Sequence, residues 1–236
     1  MSRLDLLRKE LHSLGTEKKA KASTWFFKTK EGQYGFGDKF IGVTVPEQRV
    51  IAKKYKDLDL YNLEILLSSD IHEERLTALL ILVGQFQKAD ELRREELFKF
   101  YIMHLKGVNN WDLVDSSADK IIGEYLLDKK ITLLLSFAKS ESLWERRIGI
   151  VATFAFLKNN NAKPTYLISD LLLSDRDDLI QKAVGWMLRE SGKKVSEKGL
   201  EEYLKKNYKR MGRTTLRYAI ERFDEDKRKE YLSGAV

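Results

Sequence analysis

The chain has 236 residues, enough for one domain with a sizeable core, and 43% hydrophobic with 33% charged residues describe a globular protein, not a disordered one. Without cysteine it can form no disulfide and no thiolate metal site, which fits a reducing compartment, and His12, His72 and His104 lack metal-ligand spacing. Forty-three Lys and Arg against 36 Asp and Glu leave a net charge of +7 and a pI of 9.3, a balance that favours polyanions such as nucleic acid and says nothing about catalysis.

The first residues, Met1-Ser2-Arg3-Leu4-Asp5, lack the apolar run of a signal peptide. Ser2–Leu14 repeats leucine with a helical period, and Glu17–Phe27 continues helically into the cluster Trp25-Phe26-Phe27. Glu31–Gly42 holds four of the 14 glycines and is the main irregular segment. It has no preceding strand and no Gly-Lys followed by Ser or Thr, which excludes a nucleotide-binding loop. Pro46 restarts a helix to Tyr55. Helices then alternate with short turns: Leu60–Leu67, His72–Gln87, Glu91–Leu105, Asp112–Leu127, Thr132–Ala138, Leu143–Leu157, Thr165–Leu173, Asp178–Glu190, Glu197–Lys205, Thr214–Phe223 and Glu225–Leu232. The longest strongly apolar stretch, Ile148–Leu157, is about half of the ~20 residues a membrane span needs, so a cytoplasmic protein without a membrane segment is expected.

No segment alternates with period two between hairpin turns, so the chain reads as all-α. Arg75, Asp112, Arg147 and Lys182 open helical segments 35 to 37 residues apart. That period marks a solenoid of helical pairs, in which each pair buries its apolar face against the next; an irregular helical bundle is the alternative. A polar, largely cationic row along one face follows from the spacing.

Four segments carry candidate chemistry. Asn109-Asn110 can cap a helix that begins Trp111-Asp112-Leu113-Val114-Asp115. Asp115 falls one turn on, beside Leu113 and Val114, where a carboxylate is either paired with a cation or held for use. Arg147, in Trp144-Glu145-Arg146-Arg147, suits either a solvated face or a phosphate gripped by two parallel hydrogen bonds. Lys182 precedes Trp186 by one turn, and that indole is either core or a ring offered to a ligand. Arg213 and Arg217 form either a phosphate clamp or the polar cap of a terminal repeat. No Ser/His/Asp or Cys/His constellation accompanies them.

The same residues resemble the AlkD-type DNA alkylation repair proteins, the HEAT-like alkylpurine DNA glycosylases, over most of the chain. The resemblance lies in Gly32-Gln33-Tyr34-Gly35, in Gly37–Val43 (GDKFIGV), in Val45–Arg49 (VPEQR), in Asn109–Ser116 (NNWDLVDS) and in Trp144–Arg147 (WERR). It continues through Ile180–Trp186 (IQKAVGW), Leu188–Glu190 and Arg213–Ile220 (RTTLRYAI). It implies a single HEAT-like repeat domain over residues 1–236, a curved superhelix that acts as a monomer on double-stranded DNA containing alkylated purines. It implies hydrolysis of the N-glycosidic bond of N3- and N7-alkylpurines with no metal and no redox cofactor, in a cytoplasmic protein that meets the nucleoid through DNA. Asp115 would be the catalytic carboxylate, Trp111 and Trp186 would flank the damaged nucleotide, and Arg147 would hold a backbone phosphate. Lys182, Arg189, Arg213 and Arg217 would bind DNA, together with Phe26 or Phe27 at a position where members commonly carry tyrosine. The alternative is a non-catalytic helical-repeat protein that binds distorted or branched DNA.

Overall fold

The computed structural model describes residues 1–235, and its regular elements are helices; among these residues no strand forms, and an isolated parallel bridge pairs Lys39 with Ile71. The chain divides into two compact units, Met1–Ser117 and Ala118 onward.

The first unit opens with α1 (Arg3–Ser13), which buries Leu4, Leu7 and Leu11 and starts on a capping box made by Ser2 and Asp5. Next come α2 (Glu17–Phe26), α3 (Val45–Lys54) with Pro46 in its first turn, α4 (Leu60–Leu67), α5 (His72–Phe86), α6 (Glu91–Met103) and α7 (Trp111–Ala118). Helix α5 is the centre of this unit and packs on α3, α4 and α6. Its apolar face is Leu76, Leu79, Leu82, Val83 and Phe86, yet its first turn, His72-Glu73-Glu74-Arg75, is buried as well. Four buried ionisable side chains are costly unless each is paired. Glu73 accepts backbone N–H groups of Ile41, Gly42 and Val43, and Glu74 accepts Arg8 and His12. Gly42 is required there twice over. Its φ is +80°, and a Cβ would stand 2.3 Å from the Thr16 carbonyl.

The second unit is organised around α12 (Asp178–Lys194), which packs on α9 (Leu143–Val151), α10 (Phe154–Lys158), α11 (Lys163–Leu172), α13 (Glu197–Asn207) and α14 (Arg213–Ala219). Helix α8 (Thr132–Phe137) lies on α9, and α15 (Glu225–Ser233) ends the described chain. Gly185 in α12 permits the close approach of α14, because a Cβ there would stand 2.5 Å from Tyr218 Cβ.

Several boundaries differ from the periodicity; the helix expected over Thr214–Phe223, for one, ends at Ala219. The helix expected over Leu143–Leu157 breaks between α9 and α10, where the Thr153 hydroxyl bonds the Ile150 carbonyl and the Thr165 hydroxyl and so competes with the helical ladder. The helix expected to run to Leu127 leaves α geometry at Asp119–Gly123, a π-helical turn. Helix α12 passes the Ser191-Gly192 stop signal and reaches Lys194. Ser191 is buried and bonds the Leu188 carbonyl, and Leu200 closes over Gly192, so packing overrides the local signal.

Candidate functional site

In the first unit, α7 begins where Asn110 caps it: the Asn110 side-chain oxygen accepts the Trp111 N–H at 2.8 Å. Most of α7 is buried, while Trp111, Asp115 and Ser116 are half-buried. Trp111 and Asp115 are four residues apart, so an indole and a carboxylate share the accessible stripe of an otherwise enclosed helix. The indole is backed by rings. Phe27 stacks on it at 5.4 Å between centroids, and Phe26 meets it edge-on at 5.8 Å. Phe27 in turn stacks on Phe40, at 5.0 Å, and lies 4.8 Å from the His72 ring.

Behind these rings lies a closed ionic network. His72 contacts Asp38 through Nδ1 (3.0 Å) and Asp112 through Nε2 (2.8 Å); Arg75 donates to the other Asp38 oxygen at 2.6 Å and to the Ser69 carbonyl, and the Asn110 amide donates to Asp38. Burial pulls the His72 pKa down, but the hydrogen bonds to Asp112 and Asp38 outweigh it and hold the ring above its usual 6.5. Burial likewise raises Asp38, and the His72 bond with the Arg75 charge more than offsets it, leaving that carboxyl below 3.8. Two cations and two carboxylates then balance, with His72 as an imidazolium donating from both nitrogens.

In the second unit the accessible stripe belongs to α12. Lys182, Trp186 and Arg189, at i, i+4 and i+7, are half-buried, whereas Ala183, Val184, Met187 and Leu188 are core. Trp186 has Phe154 as a tilted ring neighbour at 6.1 Å. Lys182 pairs with Asp178 at 2.6 Å, and Arg189 pairs with Glu221 and, at 3.4 Å, with Glu190. Arg147 is only 5% exposed and donates to the Leu179 carbonyl at 2.6 Å. Its neighbour Arg146 binds Asp175 at 2.7 Å and the Ser140 and Glu141 carbonyls. Arg213 and Arg217 are exposed, and Arg213 donates to the Leu232 carbonyl.

The recurring polar position is thus real, but it is not an open cationic row. Arg75, Asp112 and Arg147 are buried, and Arg75 bonds Asp38, Asp112 bonds His72 and Arg147 bonds the Leu179 carbonyl; Lys182 is the accessible one of the four. Of the residues marked in the sequence, Phe26, Phe27 and Trp111 come together directly, and Lys182, Trp186 and Arg189 share one stripe. Asp38, Phe40 and His72 escaped sequence reasoning. They carry no periodic signal, and only the GDKFIGV motif pointed to their neighbourhood.

An all-helical repeat with a tryptophan-bearing accessible stripe in each unit is a fold with known counterparts. The solved structure of a predicted DNA alkylation repair enzyme from Enterococcus faecalis matches with a TM-score of 0.70, covering 89% of this chain and 97% of that one at 17% identity, a likeness that speaks for the fold. Among curated proteins no sequence matches. The family model for DNA alkylation repair enzymes matches residues 7–223, and the chain belongs to that family. Among the described residues, no helix is long and apolar enough to cross a membrane.

Proposed function

We propose that the protein is a monofunctional DNA glycosylase that removes cationic N3- and N7-alkylated purines from duplex DNA. The observation that carries this reading is the pairing of Asp115 with Trp111 on the half-buried stripe of α7, a carboxylate and an indole one turn apart and reachable by a ligand.

The chemistry asks for little more. Alkylation makes the purine a cation, so it leaves without a strong general acid. The bond between C1′ and N9 breaks, and its electron pair stays on N9 and neutralises the base. The sugar passes through an oxocarbenium-like state, as in glycoside hydrolysis, and water adds to C1′ and releases a proton. The products are the free alkylpurine and an abasic site. A fixed carboxylate stabilises the positive sugar and orients the water, and Asp115 has that role here. The electron-rich face of Trp111 favours the cationic nucleotide, and its rigid ring backing keeps the face in place. Trp186 and Arg147 take the parts that the family resemblance gives them, a second ring beside the nucleotide and a cation on the backbone. The clasp of Arg147 to the Leu179 carbonyl fixes that side chain's orientation.

Asp115→Asn tests the assignment. The amide preserves size and removes charge, so single-turnover excision of 7-methylguanine is expected to fall about 100-fold, a loss of ~3 kcal/mol in transition-state stabilisation. DNA affinity is expected to hold or rise, because a negative charge near phosphates is gone. A variant that melts at lower temperature but cleaves at the wild-type rate makes Asp115 a structural ion-pair partner and favours a binding module without catalysis.

A further inference from the structure

Helix α2 buries none of its ten residues. A helix in a folded protein is ordinarily held by an apolar stripe, and α2 has instead the Thr16 cap, a 3.2 Å pair between Lys19 and Glu47, and the edge of Phe26 on Trp111 and Phe27. Its end is aromatic and open to solvent: Trp25 is 79% exposed and Phe26 55%. The chain then turns through Lys28, whose φ is +52°. The following loop is bound back by the Gly35 N–H on the Lys28 carbonyl, and a Cβ at Gly35 would stand 2.2 Å from the Phe27 carbonyl. The next side chain in the loop, Phe36, is also open to solvent, 65% exposed. Lys18, Lys28 and Lys30 are exposed as well, with no carboxylate partner among the described residues, and the Lys28 ammonium lies 5.8 Å from the centre of the Tyr34 ring.

An uncovered aromatic tip on a segment with exposed lysines that pair with no described carboxylate suits one kind of partner better than others. Protein interfaces are depleted of lysine. Helices that lie on membranes carry an apolar face along their length, whereas Glu17–Ser23 has none and the rings of α2 are confined to its tip. Aromatic planes beside cations are how nucleic-acid bases and their phosphates are held without base pairing. A fully paired duplex hides its base faces; a displaced base shows one. We propose that Trp25 is a stacking platform for a base displaced from a DNA duplex, next to the Trp111 ring cluster through Phe26. The proposal rests on the reading of the protein as one that acts on duplex DNA, and it adds that the protein prefers duplexes with an unstacked base.

The test is equilibrium binding, by fluorescence anisotropy, to two labelled duplexes that differ by a single-nucleotide bulge. Trp25→Ala is expected to weaken binding to the bulged duplex about 10-fold and to the perfect duplex less than about 2-fold, with Trp25→Phe restoring most of the loss. Because the side chain is exposed, the melting temperature should stay within about 2 °C of the wild type. Equal losses on both duplexes, or none on either, overturn the platform while leaving the DNA reading intact. A wild-type protein that binds neither duplex in a salt-dependent way overturns both. If Trp25→Ala leaves DNA binding untouched and abolishes co-sedimentation with phosphatidylglycerol vesicles, the surface belongs to a membrane and the platform is wrong.

Discussion

The two units present a tryptophan in opposite ways. Trp111 is braced by Phe26 and Phe27, and behind these lie Phe40 and His72, the latter held by Asp38 and Asp112. Among the described residues Trp186 has Phe154 as its ring neighbour, and on its own helix it stands between Lys182, paired with exposed Asp178, and Arg189, paired with exposed Glu221 and buried Glu190. The same sequence signal, a tryptophan beside an ionisable residue at the repeat period, thus yields a rigid platform in one unit and an adaptable stripe in the other. The difference lies in burial. The first unit closes a set of its charges into a neutral internal network, and the second pairs most of its charges near solvent, with Asp119, Arg147 and Glu190 buried.

Removing one charge from each arrangement should separate them most strongly. Asp38→Ala takes the carboxylate from buried Arg75 and leaves His72 its contact with Asp112, and breaking a buried network of this kind costs about 3–5 kcal/mol. Arg189→Ala removes pairs with a largely exposed Glu221 and with Glu190, and such a change costs about 1 kcal/mol or less. Urea unfolding of both variants measures the contrast, and equal losses would erase it. A smaller effect is expected at the rings. Trp111 makes two ring contacts and Trp186 one, at roughly 0.5–1.5 kcal/mol each, so Trp111→Ala should lose about 1 kcal/mol more stability than Trp186→Ala. Both changes should lower excision more than affinity for undamaged DNA. A variant that merely unfolds identifies its tryptophan as core.

The smallest effect is the dependence of stability on pH. His72 is raised in the folded chain, so its contribution is complete below the unfolded value near 6.5 and is lost as pH rises through the folded value. Asp38 is lowered, so its contribution is present above 3.8 and is lost as pH falls through its folded value. Wild-type stability should therefore peak between these limits. His72→Gln should flatten the alkaline side of the melting-temperature profile, and an unchanged alkaline limb would mean that His72 is neutral in the folded protein.

Much of the fold could be read from the sequence, because helical periodicity and capping residues such as Ser2, Asp59, Asp90 and Ser196 act locally. What escaped depends on contacts distant in the chain. The run of α12 past Ser191-Gly192 is decided by Leu200, and the break after Val151 by Thr165. At the site, the segment NNWDLVD marked Trp111 and Asp115, but nothing local shows that Asp38, 72 residues before Asn110, anchors the cap of their helix. The recurring polar positions meet the same limit. Their spacing is visible in the sequence, and their burial is not.

The central claim is that this protein cleaves the glycosidic bond of a cationic purine, and the most direct measurement is release of free base. Duplex DNA methylated at guanine N7 is incubated with the purified protein and with Asp115→Asn, and 7-methylguanine is separated from the polymer and quantified. The account predicts release by the wild type above the spontaneous rate, with abasic sites left in equal number, and about 100-fold slower release by Asp115→Asn. Wild-type protein that binds this DNA and releases 7-methylguanine no faster than buffer would contradict it.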